Sequence, residues 1–484
     1  MRSHEAGAIH GQSGDRGPAW LHVPEDANQL VPQLWSSSVS RVDGVLTVAG
    51  ESVLDIAEEF GTPTYVVDED DFRQRARAFR DAFPDADVYY AAKAFLCTAT
   101  ARWVVEEGLN IDVCSGGELA VALRAEVPPM QIGLHGNNKS VAELRKALEV
   151  GVGRIIIDSF EEIDRIRELA IELGLTANVM VRVTAGVEAH THEYISTSHE
   201  DQKFGFSISG GDAFEAVRRV LAEPSIKLLG LHSHIGSQIF VTDGFEVAAK
   251  RVLRLHAQIA AELGYTAPEF DLGGGFGIAY TTQDDPSTPE DLARGMLKIV
   301  DDECAALGID VPQLSIEPGR AIAGPSTFTL YGVGTTKTVA LDAGASRLYV
   351  SVDGGMSDNI RTALYGADYS CTLASRGSDA APVLSRVVGK HCESGDIVVK
   401  DEFLPGDVKA GDLLAVPGTG AYCRSLASTY NHIPRAAVVA VREGEARLIM
   451  RRETEEDLFH PRCGIVRLWT NQACNRWCTD PALE

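Results

Sequence analysis

Eight short apolar runs alternate with amphipathic stretches between residues 88 and 317, and this alternation limits the fold more than any other feature of the chain. Runs of this length and composition are typical of buried strands. Strands that alternate with helices pair in parallel through right-handed crossovers, and eight such units close a (β/α)8 barrel. We therefore expect an α/β, TIM-like barrel, with an open doubly wound sheet as the alternative. The runs are VYYAA (88–92), NIDVC (110–114), QIGLH (131–135), RIIID (154–158), NVMVRV (178–183), KLLGLHSH (227–234), EFDLGG (269–274) and LSIE (314–317).

Helix signals fill the gaps between these runs. Ser159 with Glu162, and Ser140 with Glu143, have the spacing of a capping box at a helix N-terminus. The stretch that follows Ser159 also carries an apolar stripe with helical spacing. The stripe consists of Ile163, Ile166, Leu169 and Leu173.

A change of pattern near residue 325 predicts a second domain. Beyond it the helical period disappears and short strand-like runs follow, ending in a hairpin with Gly444 in its connection. We expect a mostly antiparallel β domain formed by residues 36–62 and 326–484, to which GVLTVAG (44–50) adds a strand. The barrel is expected over 63–325, and residues 1–35 read as a disordered tail and an irregular arm.

Charge and cysteine content exclude several classes of function. The chain has 44 Lys and Arg against 69 Asp and Glu, a formal net charge of −25, which opposes nucleic acid or an anionic membrane surface as the main partner. No apolar run reaches the ~18 residues of a membrane span, and the first 20 residues lack a signal-peptide core, so a cytoplasmic location is expected. The nine cysteines form no CxxC pair, which argues against a disulfide framework or a metal site.

Polar residues follow the predicted strands, at the end where barrel enzymes carry their chemistry. Lys93 follows the first run, His234 and Ser237 the sixth, and three glycines, 273–275, leave the seventh. The third run leads into His135, and the eighth into Glu317.

These residue types together suit one cofactor. Successive glycines expose backbone N–H groups that can cradle a phosphate, and a lysine with apolar walls can form a Schiff base. His234 can stack on an aromatic ring that Glu317 faces, so the set fits pyridoxal 5′-phosphate. Each residue alone also has an ordinary structural explanation: a tight turn, a surface lysine, a core histidine or a helix cap.

Seven motifs resemble those of diaminopimelate decarboxylases, members of the fold-type III pyridoxal-phosphate enzymes. The resemblance runs from about residue 40 to about residue 470, and the stretch 191–207 is similar to the actinobacterial branch. The motifs are YYAAKA (89–94), HSHIGSQ (232–238), DLGGGFG (271–277), EPGR (317–320), RTALYGADY (361–369), CESGD (392–396) and GAY (420–422).

The resemblance implies a role for each matching residue. Lys93 would hold the cofactor covalently, His234 would stack on its ring, and Glu317 would pair with the ring nitrogen. The remaining cofactor contacts would come from Ser237, Gly274, Gly275, Pro318, Gly319, Arg320 and Tyr422. The substrate contacts would come from Arg320, Arg361, Tyr365, Glu393 and Tyr422, with Cys392 as the proton donor. In this family Cys392 and Glu393 reach the site from the partner subunit, which implies a homodimer with shared active sites.

The implied reaction is the decarboxylation of meso-2,6-diaminopimelate to L-lysine and CO2, the last step of lysine biosynthesis. Arg361 suits the distal carboxylate of that substrate as a bidentate fork, and Glu393 suits its ammonium group. An acid at the ring nitrogen favours decarboxylation over alanine racemisation, for which relatives place an arginine there. Two alternatives remain open: an ornithine- or arginine-type decarboxylase of the same fold, and a non-catalytic regulator that binds the cofactor. The regulator would be expected to lack Lys93 or Cys392, and both are present.

Overall fold

The N-terminal part of the chain forms a small sheet and one further strand before the barrel begins. The structure, a computed structural model, describes residues 17–186, 203–341 and 345–459. Residues 17–39 form an irregular arm in which Leu34 and Trp35 are buried, and the predicted tail lies mostly outside the described residues. The first elements are β1 (Ser40–Val42), β2 (Val45–Val48), β3 (Glu51–Ser52), helix α1 (Val53–Phe60) and β4 (Thr64–Asp68).

All eight predicted strands form, and they close into a parallel barrel. Each strand pairs in parallel with its neighbour, and the pairing of the last strand with the first completes the ring, which excludes the open sheet. A two-residue strand, β10 (Phe206–Ser207), pairs with β9 at its carboxyl end. The barrel strands are β5 (Ala86–Ala91), β6 (Asn110–Val113), β7 (Ile132–Leu134), β8 (Arg154–Ile157), β9 (Ala177–Thr184), β11 (Ile226–Ser233), β12 (Glu269–Asp271) and β13 (Gln313–Ile316).

Helices with buried apolar faces surround the barrel. Ser140 and Glu143 form the predicted capping box. At the next helix Ser159 caps the N-terminus, but the Glu162 side chain accepts from the N–H of Asp158 and pairs with the buried Lys139 in place of bonding to the Ser159 N–H. The helices are α2 (Glu69–Ala82), α3 (Thr98–Glu106), α4 (Gly116–Arg124), α5 (Val141–Val150), α6 (Phe160–Leu173), α7 (Asp212–Leu221), α8 (Asp243–Leu263), α9 (Pro289–Leu307) and α10 (Arg320–Ala323).

A second, mostly antiparallel sheet follows the barrel. Its main path runs β18-β17-β15-β14-β4-β20-β21, and β19 pairs with β14 and β16. Within the described part of this second sheet, the β15–β17 and β20–β4 pairs are parallel and the other pairs are antiparallel. The elements are β14 (Thr327–Ala340), β15 (Ser346–Val352), α11 (Arg361–Tyr365), β16 (Thr372–Leu373), β17 (Pro382–Val388), β18 (Ile397–Pro405), β19 (Leu413–Pro417), β20 (Ala437–Arg442), β21 (Glu445–Met450) and α12 (Glu455–Phe459).

Two details of the expected domain boundaries differ from the structure. Strand β4 lies after residue 63 but belongs to the second sheet, where it pairs with β14 and β20. Residues 44–50 are not part of that sheet. They contain the middle strand of a separate three-stranded sheet, β1-β2-β3, whose Leu46 and Val48 belong to the same apolar cluster as Phe328 and Leu330 of the second domain. None of the helices in the described part of the chain combines the length and apolar character that a membrane span needs.

Candidate active site

Lys93 lies directly after the first barrel strand. It occupies a short 3-10 turn, Ala92–Ala94, and its neighbours Ala92 and Ala94 are buried. The N–H of Ala91 donates to the carbonyl of Pro318 at 3.0 Å, and the N–H of Tyr422 donates to the carbonyl of Ala94 at 2.9 Å. The turn that carries the lysine is therefore fixed by the end of the last barrel strand and by the second domain.

The Lys93 side chain faces two adjoining cavities of about 410 and 290 Å³. The larger cavity is lined from both domains, and the smaller lies over the mouth of the barrel. Lys93, His234 and Glu317 line both. The other predicted residues on the larger cavity are Ser237, Gly275, Gly319, Arg320, Arg361, Tyr365 and Tyr422. Gly274 and Pro318 line neither cavity: the N–H of Gly274 donates to the His234 ring, and the carbonyl of Pro318 accepts from Ala91.

Two positions in the lining of the larger cavity have no space for a side chain and require glycine. A Cβ at Gly275 would lie 2.4 Å from the carbonyl oxygen of Gly236, and a Cβ at Gly319 would lie 2.9 Å from that of Ala91. Gly275 also has a φ of +107°, which side-chain-bearing residues rarely adopt. Bare backbone and the Ser237 hydroxyl therefore meet at one end of the cavity, an arrangement that suits a phosphate.

His234 presents a neutral imidazole ring beside Lys93. The N–H of Gly274 donates to Nδ1 of His234 at 3.2 Å, which leaves Nε2 as the protonated nitrogen of the ring. Burial, together with the positive charges of Lys93 and Arg182, holds the pKa of His234 well below its ordinary value. An uncharged flat ring is suited to stacking on an aromatic cofactor.

Glu317 is a buried carboxylate paired with two histidines. Its Oε1 lies 2.9 Å from Nε2 of His232 and 3.2 Å from Nε2 of His135. Burial alone would raise the pKa of Glu317, but the two imidazoles hold it well below the ordinary glutamate value. Glu317 therefore stays ionised and can accept a hydrogen bond from a protonated ring nitrogen.

His135 and Asp112 extend this cluster along the smaller cavity. Nε2 of His135 also lies 3.2 Å from Oδ1 of Asp112, and burial alone would lower the pKa of His135. The Glu317 and Asp112 carboxylates outweigh that effect and raise the pKa of His135 to about 9. His135, His232 and Glu317 bring potential ligand atoms within 4.8 Å of one another, yet their ion-pair contacts account for the arrangement without a metal ion.

Arg154 supplies a second buried positive charge beneath the cluster. Its Nη2 lies 2.6 Å from Oδ2 of Asp271 and 4.0 Å from Oε1 of Glu317, and its guanidinium stacks on Tyr89 at 3.5 Å from the ring centroid. Arg154 and the protonated His135 thus face Asp112, Asp271 and Glu317 inside the barrel. The buried Arg182 adds a further positive charge that interacts with Asp271 and Glu317.

Arg320 and Arg361 are buried in the wall of the larger cavity, and Arg320 lies next to Ser237. Arg320 donates from Nη2 to the Ser237 hydroxyl at 2.8 Å and from Nη1 to the Tyr280 hydroxyl at 2.5 Å. Arg361 donates to the Tyr369 hydroxyl. Two guanidinium groups that line one cavity, opposite the lysine, suit a ligand with a carboxylate group.

Cys392 and Glu393 do not reach the cavity of their own chain. Both are exposed, and neither lies among the residues that line the two cavities. The N–H of Cys392 donates to the amide oxygen of Asn431 at 3.3 Å, and the adjacent His391 is buried against Ser357 and Asn431. The loop is anchored, but its thiol faces outward.

Several residues of this site carry no role in the prediction from sequence. From the sequence, His135 is only a polar residue at the end of its strand. Asp112 and His232 lie inside strands, where alternation alone predicts packing in the barrel. Tyr280 lies five residues after the last of the three glycines, in a loop without a motif of its own. The one sequence signal for a role in the site is the position of His135, which directly follows β7 just as His234 directly follows β11.

This donor set fits pyridoxal 5′-phosphate. The glycine-lined end with Ser237 accommodates a phosphate, the neutral His234 a ring, and the ionised Glu317 a protonated ring nitrogen. Lys93 lines both cavities together with His234 and Glu317, and its amine would serve for covalent attachment.

Comparisons with known proteins agree with this geometry. Residues 69–324 match the family model for the pyridoxal-binding domain of pyridoxal-dependent decarboxylases. The chain is 57% identical over 439 residues to the diaminopimelate decarboxylase of Mycobacterium tuberculosis, covering 89% of this chain and 98% of the relative. It is 55% identical over 470 residues to that of Mycobacterium leprae, covering 95% and 99%.

A solved structure shows the same likeness. The crystal structure of diaminopimelate decarboxylase from M. jannaschii in complex with L-lysine superposes with a TM-score of 0.82 at 31% identity, over 88% of this chain and 98% of that one. The fold class and cofactor predicted from the sequence are confirmed. The chain belongs to the diaminopimelate decarboxylase family of pyridoxal-dependent decarboxylases.

Proposed function

We propose that this protein decarboxylates meso-2,6-diaminopimelate to L-lysine and CO2, with pyridoxal 5′-phosphate held by Lys93. The observation that carries the substrate assignment is the buried Arg361, which lines the same cavity as Lys93 and Glu317. An amino acid that ends in an amine alone would bring a second cation toward it, whereas diaminopimelate brings a carboxylate. The family relatives share the name of this reaction, and the M. jannaschii structure holds L-lysine.

The cofactor supplies an electron sink for the carbanion left by loss of CO2. The residues of the chain orient and tune it. Glu317 would accept a hydrogen bond from the protonated ring nitrogen, and His135 and His232 keep its carboxylate ionised. His234 would cover one face of the ring, and the backbone around Gly275, with Ser237 and Tyr422, would hold the phosphate.

Arg361, Arg320 and Tyr365 bind the carboxylate that is kept in the product. Arg361 has no ion-pair partner among the described acidic residues, and its Nε has no hydrogen-bond partner. Since a buried guanidinium without an anion is costly, a substrate carboxylate there gains both charge pairing and hydrogen bonds. Binding of this group places the other amino acid centre at Lys93.

The proposed active unit is a homodimer in which Cys392 and Glu393 act in the partner's cavity. What supports this proposal is their exposure, their absence from the lining of the cavities of their own chain, and the anchoring of their loop. Cys392 would donate the proton that quenches the carbanion, and Glu393 would bind the distal ammonium group. A cytoplasmic location stays a prediction from the sequence.

The experiment is CO2 release from wild-type protein supplied with meso-diaminopimelate, L-lysine, L-ornithine or L-arginine. We expect rapid release from diaminopimelate alone. Arg361→Ala should lower kcat/KM for diaminopimelate on the order of 10²- to 10³-fold, because a buried charge pair is lost. The visible absorbance of bound cofactor should not change.

Arg294→Ala is the matched control, because the Arg294 side chain is 75% exposed on helix α9. That variant should behave as wild type. Equal turnover of ornithine or arginine, or full efficiency of Arg361→Ala, would favour the basic amino-acid decarboxylase instead. Cofactor binding without turnover of any of the four amino acids would favour a regulator.

A further inference from the structure

Three tyrosines and two arginines alternate beside the larger cavity: four of them line it, and the fifth, Tyr369, is buried without lining it. The guanidinium carbon of Arg320 lies 4.7 Å from the ring centroid of Tyr422 and 5.8 Å from that of Tyr280. The guanidinium carbon of Arg361 lies 4.6 Å from the same Tyr280 ring and 5.6 Å from the ring of Tyr369. Tyr280 is therefore the one ring shared by both cations.

The two arginines lack an acidic counterpart in the part of the chain that the structure describes. Neither forms an ion pair with a described Asp or Glu, and Nε of each is buried without a hydrogen-bond partner. Two like charges held close together repel one another, and the faces and hydroxyls of the tyrosines are what stabilise them. Burial and nearby groups also keep the pKa of Tyr369 well above its ordinary value, so its hydroxyl stays neutral.

Tyr280 contacts both arginines in ways that the other two tyrosines do not combine. Its hydroxyl accepts the hydrogen bond from Nη1 of Arg320, while its ring lies against Arg361. It also packs edge-on against Tyr369, with ring centroids 5.1 Å apart. Displacing Tyr280 would thus move both guanidinium groups at once.

The backbone that carries Tyr280 is held on both sides. The carboxylate of Asp284 accepts from the N–H groups of Tyr280 and Thr281, each at 2.9 Å. The Gln238 side chain brackets Ile278, donating to its carbonyl at 2.7 Å and accepting from its N–H at 3.2 Å. This loop continues directly from the glycines of the phosphate end, so Tyr280 links that end to the arginines.

Gly418 leaves space for the Tyr280 ring. A Cβ at Gly418 would lie 3.2 Å from Cδ1 of Tyr280, and the φ of this glycine is +74°. The ring is accordingly confined between the second domain and the two cations. A side chain held this firmly is suited to setting the geometry of others.

We propose that Tyr280 is a positioning residue for carboxylate recognition, holding Arg320 and Arg361 at the spacing that lets both bind one substrate carboxylate. This inference rests on the proposed function for its choice of substrate. Tyr280 itself is not required to touch the substrate: its hydroxyl is engaged by Arg320 and its ring by Arg361.

The test uses two variants of the holoenzyme. Tyr280→Phe keeps the ring and removes the hydroxyl, so KM for meso-diaminopimelate should rise about 10-fold with little change in kcat. Tyr280→Leu removes the ring as well, and kcat/KM should fall about 100-fold. Tyr265→Phe is the matched control, because its hydroxyl bonds only to the Leu228 carbonyl outside the cavity, and it should match wild type.

A pair of competitive ligands isolates the carboxylate. L-lysine and cadaverine differ only in that group, so the Tyr280 variants should weaken lysine binding about 10- to 100-fold and leave cadaverine binding unchanged. Calorimetry on the wild type and the variants measures both ligands without turnover. The comparison therefore remains informative if the wild type fails to decarboxylate diaminopimelate, a result that would count against the proposed function alone.

Two results would overturn the inference. One is wild-type affinity for lysine in both variants. The other is an equal loss of lysine and cadaverine binding, which would show that Tyr280 only maintains the shape of the cavity. If Tyr280→Leu does not fold, Tyr280→Phe still decides between these outcomes.

Discussion

Glu317 reaches the cavity with two imidazoles already bound to one of its oxygens. This arrangement makes the ring-facing acid part of a buried charge cluster and not an isolated side chain. Because His135 gains its charge from Glu317 and Asp112, each group fixes the ionisation of the others. The cluster should therefore leave a signature in the pH dependence of stability.

The pKa of His135 predicts the direction of that signature. In the folded protein it is raised to about 9 from an ordinary value of 6.5, so its stabilising charge is fully present below pH 6.5 and is lost as the pH rises through 9. We expect His135→Gln to lower the thermal midpoint of the cofactor-free protein most at pH 6.5. The difference from wild type should shrink toward pH 9, as followed by circular dichroism.

His256→Gln is the control for this measurement. His256 is buried on helix α8, and burial lowers its pKa, so its replacement should not alter the slope above pH 6.5. A difference between wild type and His135→Gln that stays constant from pH 6.5 to 9 would show that His135 is uncharged in the folded protein.

Residues at strand ends could be foreseen from the sequence, and residues that act through them could not. Lys93, His234 and Glu317 follow apolar runs directly, so the barrel rule alone places them at the mouth. Asp112 lies within the run 110–114, where a buried polar residue has no local signature. The position of Tyr280 depends on a loop that side-chain hydrogen bonds from Asp284 and Gln238 hold in place, and no sequence motif predicts those bonds.

At the scale of elements, the turn after strand β12 depends most on backbone shape. Gly275 combines a φ of +107° with a carbonyl oxygen 2.4 Å from where its Cβ would lie. The bond from the N–H of Ile239 to the carbonyl of Gly275 ties this turn to the loop after β11. Any side chain at Gly275 would push apart the two loops that form the phosphate end.

Gly275→Ala should weaken cofactor binding and lower stability. Strain at positive φ costs roughly 1–2 kcal/mol, and the clash adds about 1–3 kcal/mol. Gly174→Ala is the matched control, since Gly174 has a φ of +65° at the end of helix α6 but nothing within 4 Å of a Cβ. Thermal unfolding and cofactor titration of both variants separate strain from clash, and equal losses would contradict the predicted cradle.

The alternation of strands and helices predicts the barrel, but it does not predict which sheet strand β4 joins. The run 64–68 precedes helix α2 as other barrel strands precede their helices, so its periodicity matches a barrel unit. It pairs instead with β14 and β20, more than 250 residues away along the chain, and is buried throughout. Local sequence sets that a strand forms, but tertiary packing decides which sheet receives it.

At the scale of the whole molecule, the two domains share the site. Tyr422 and Arg361 come from the second domain, and the N–H of Tyr422 bonds to the turn that carries Lys93. The second domain also carries Cys392, which is exposed and lines neither cavity. One chain thus supplies a cofactor pocket at one place and a thiol at another, which is the arrangement expected of an enzyme whose sites are completed in pairs.

Subunit mixing tests that arrangement. Lys93→Ala should be inactive because it cannot hold the cofactor, and Cys392→Ala should turn over about 10²- to 10⁴-fold more slowly because it lacks the quenching acid. In a mixed dimer, one cavity combines an intact Lys93 with the intact Cys392 of the other chain. Activity should therefore return to about a quarter of the wild-type value when equal amounts exchange subunits at random, since half the dimers are mixed and each has one complete site.

Cys304→Ala in place of Cys392→Ala is the control, because Cys304 is buried on helix α9, outside both cavities. That variant should be active before mixing. If verified exchange between Lys93→Ala and Cys392→Ala restores no activity, Cys392 acts within its own chain, and its loop must move to reach the cavity.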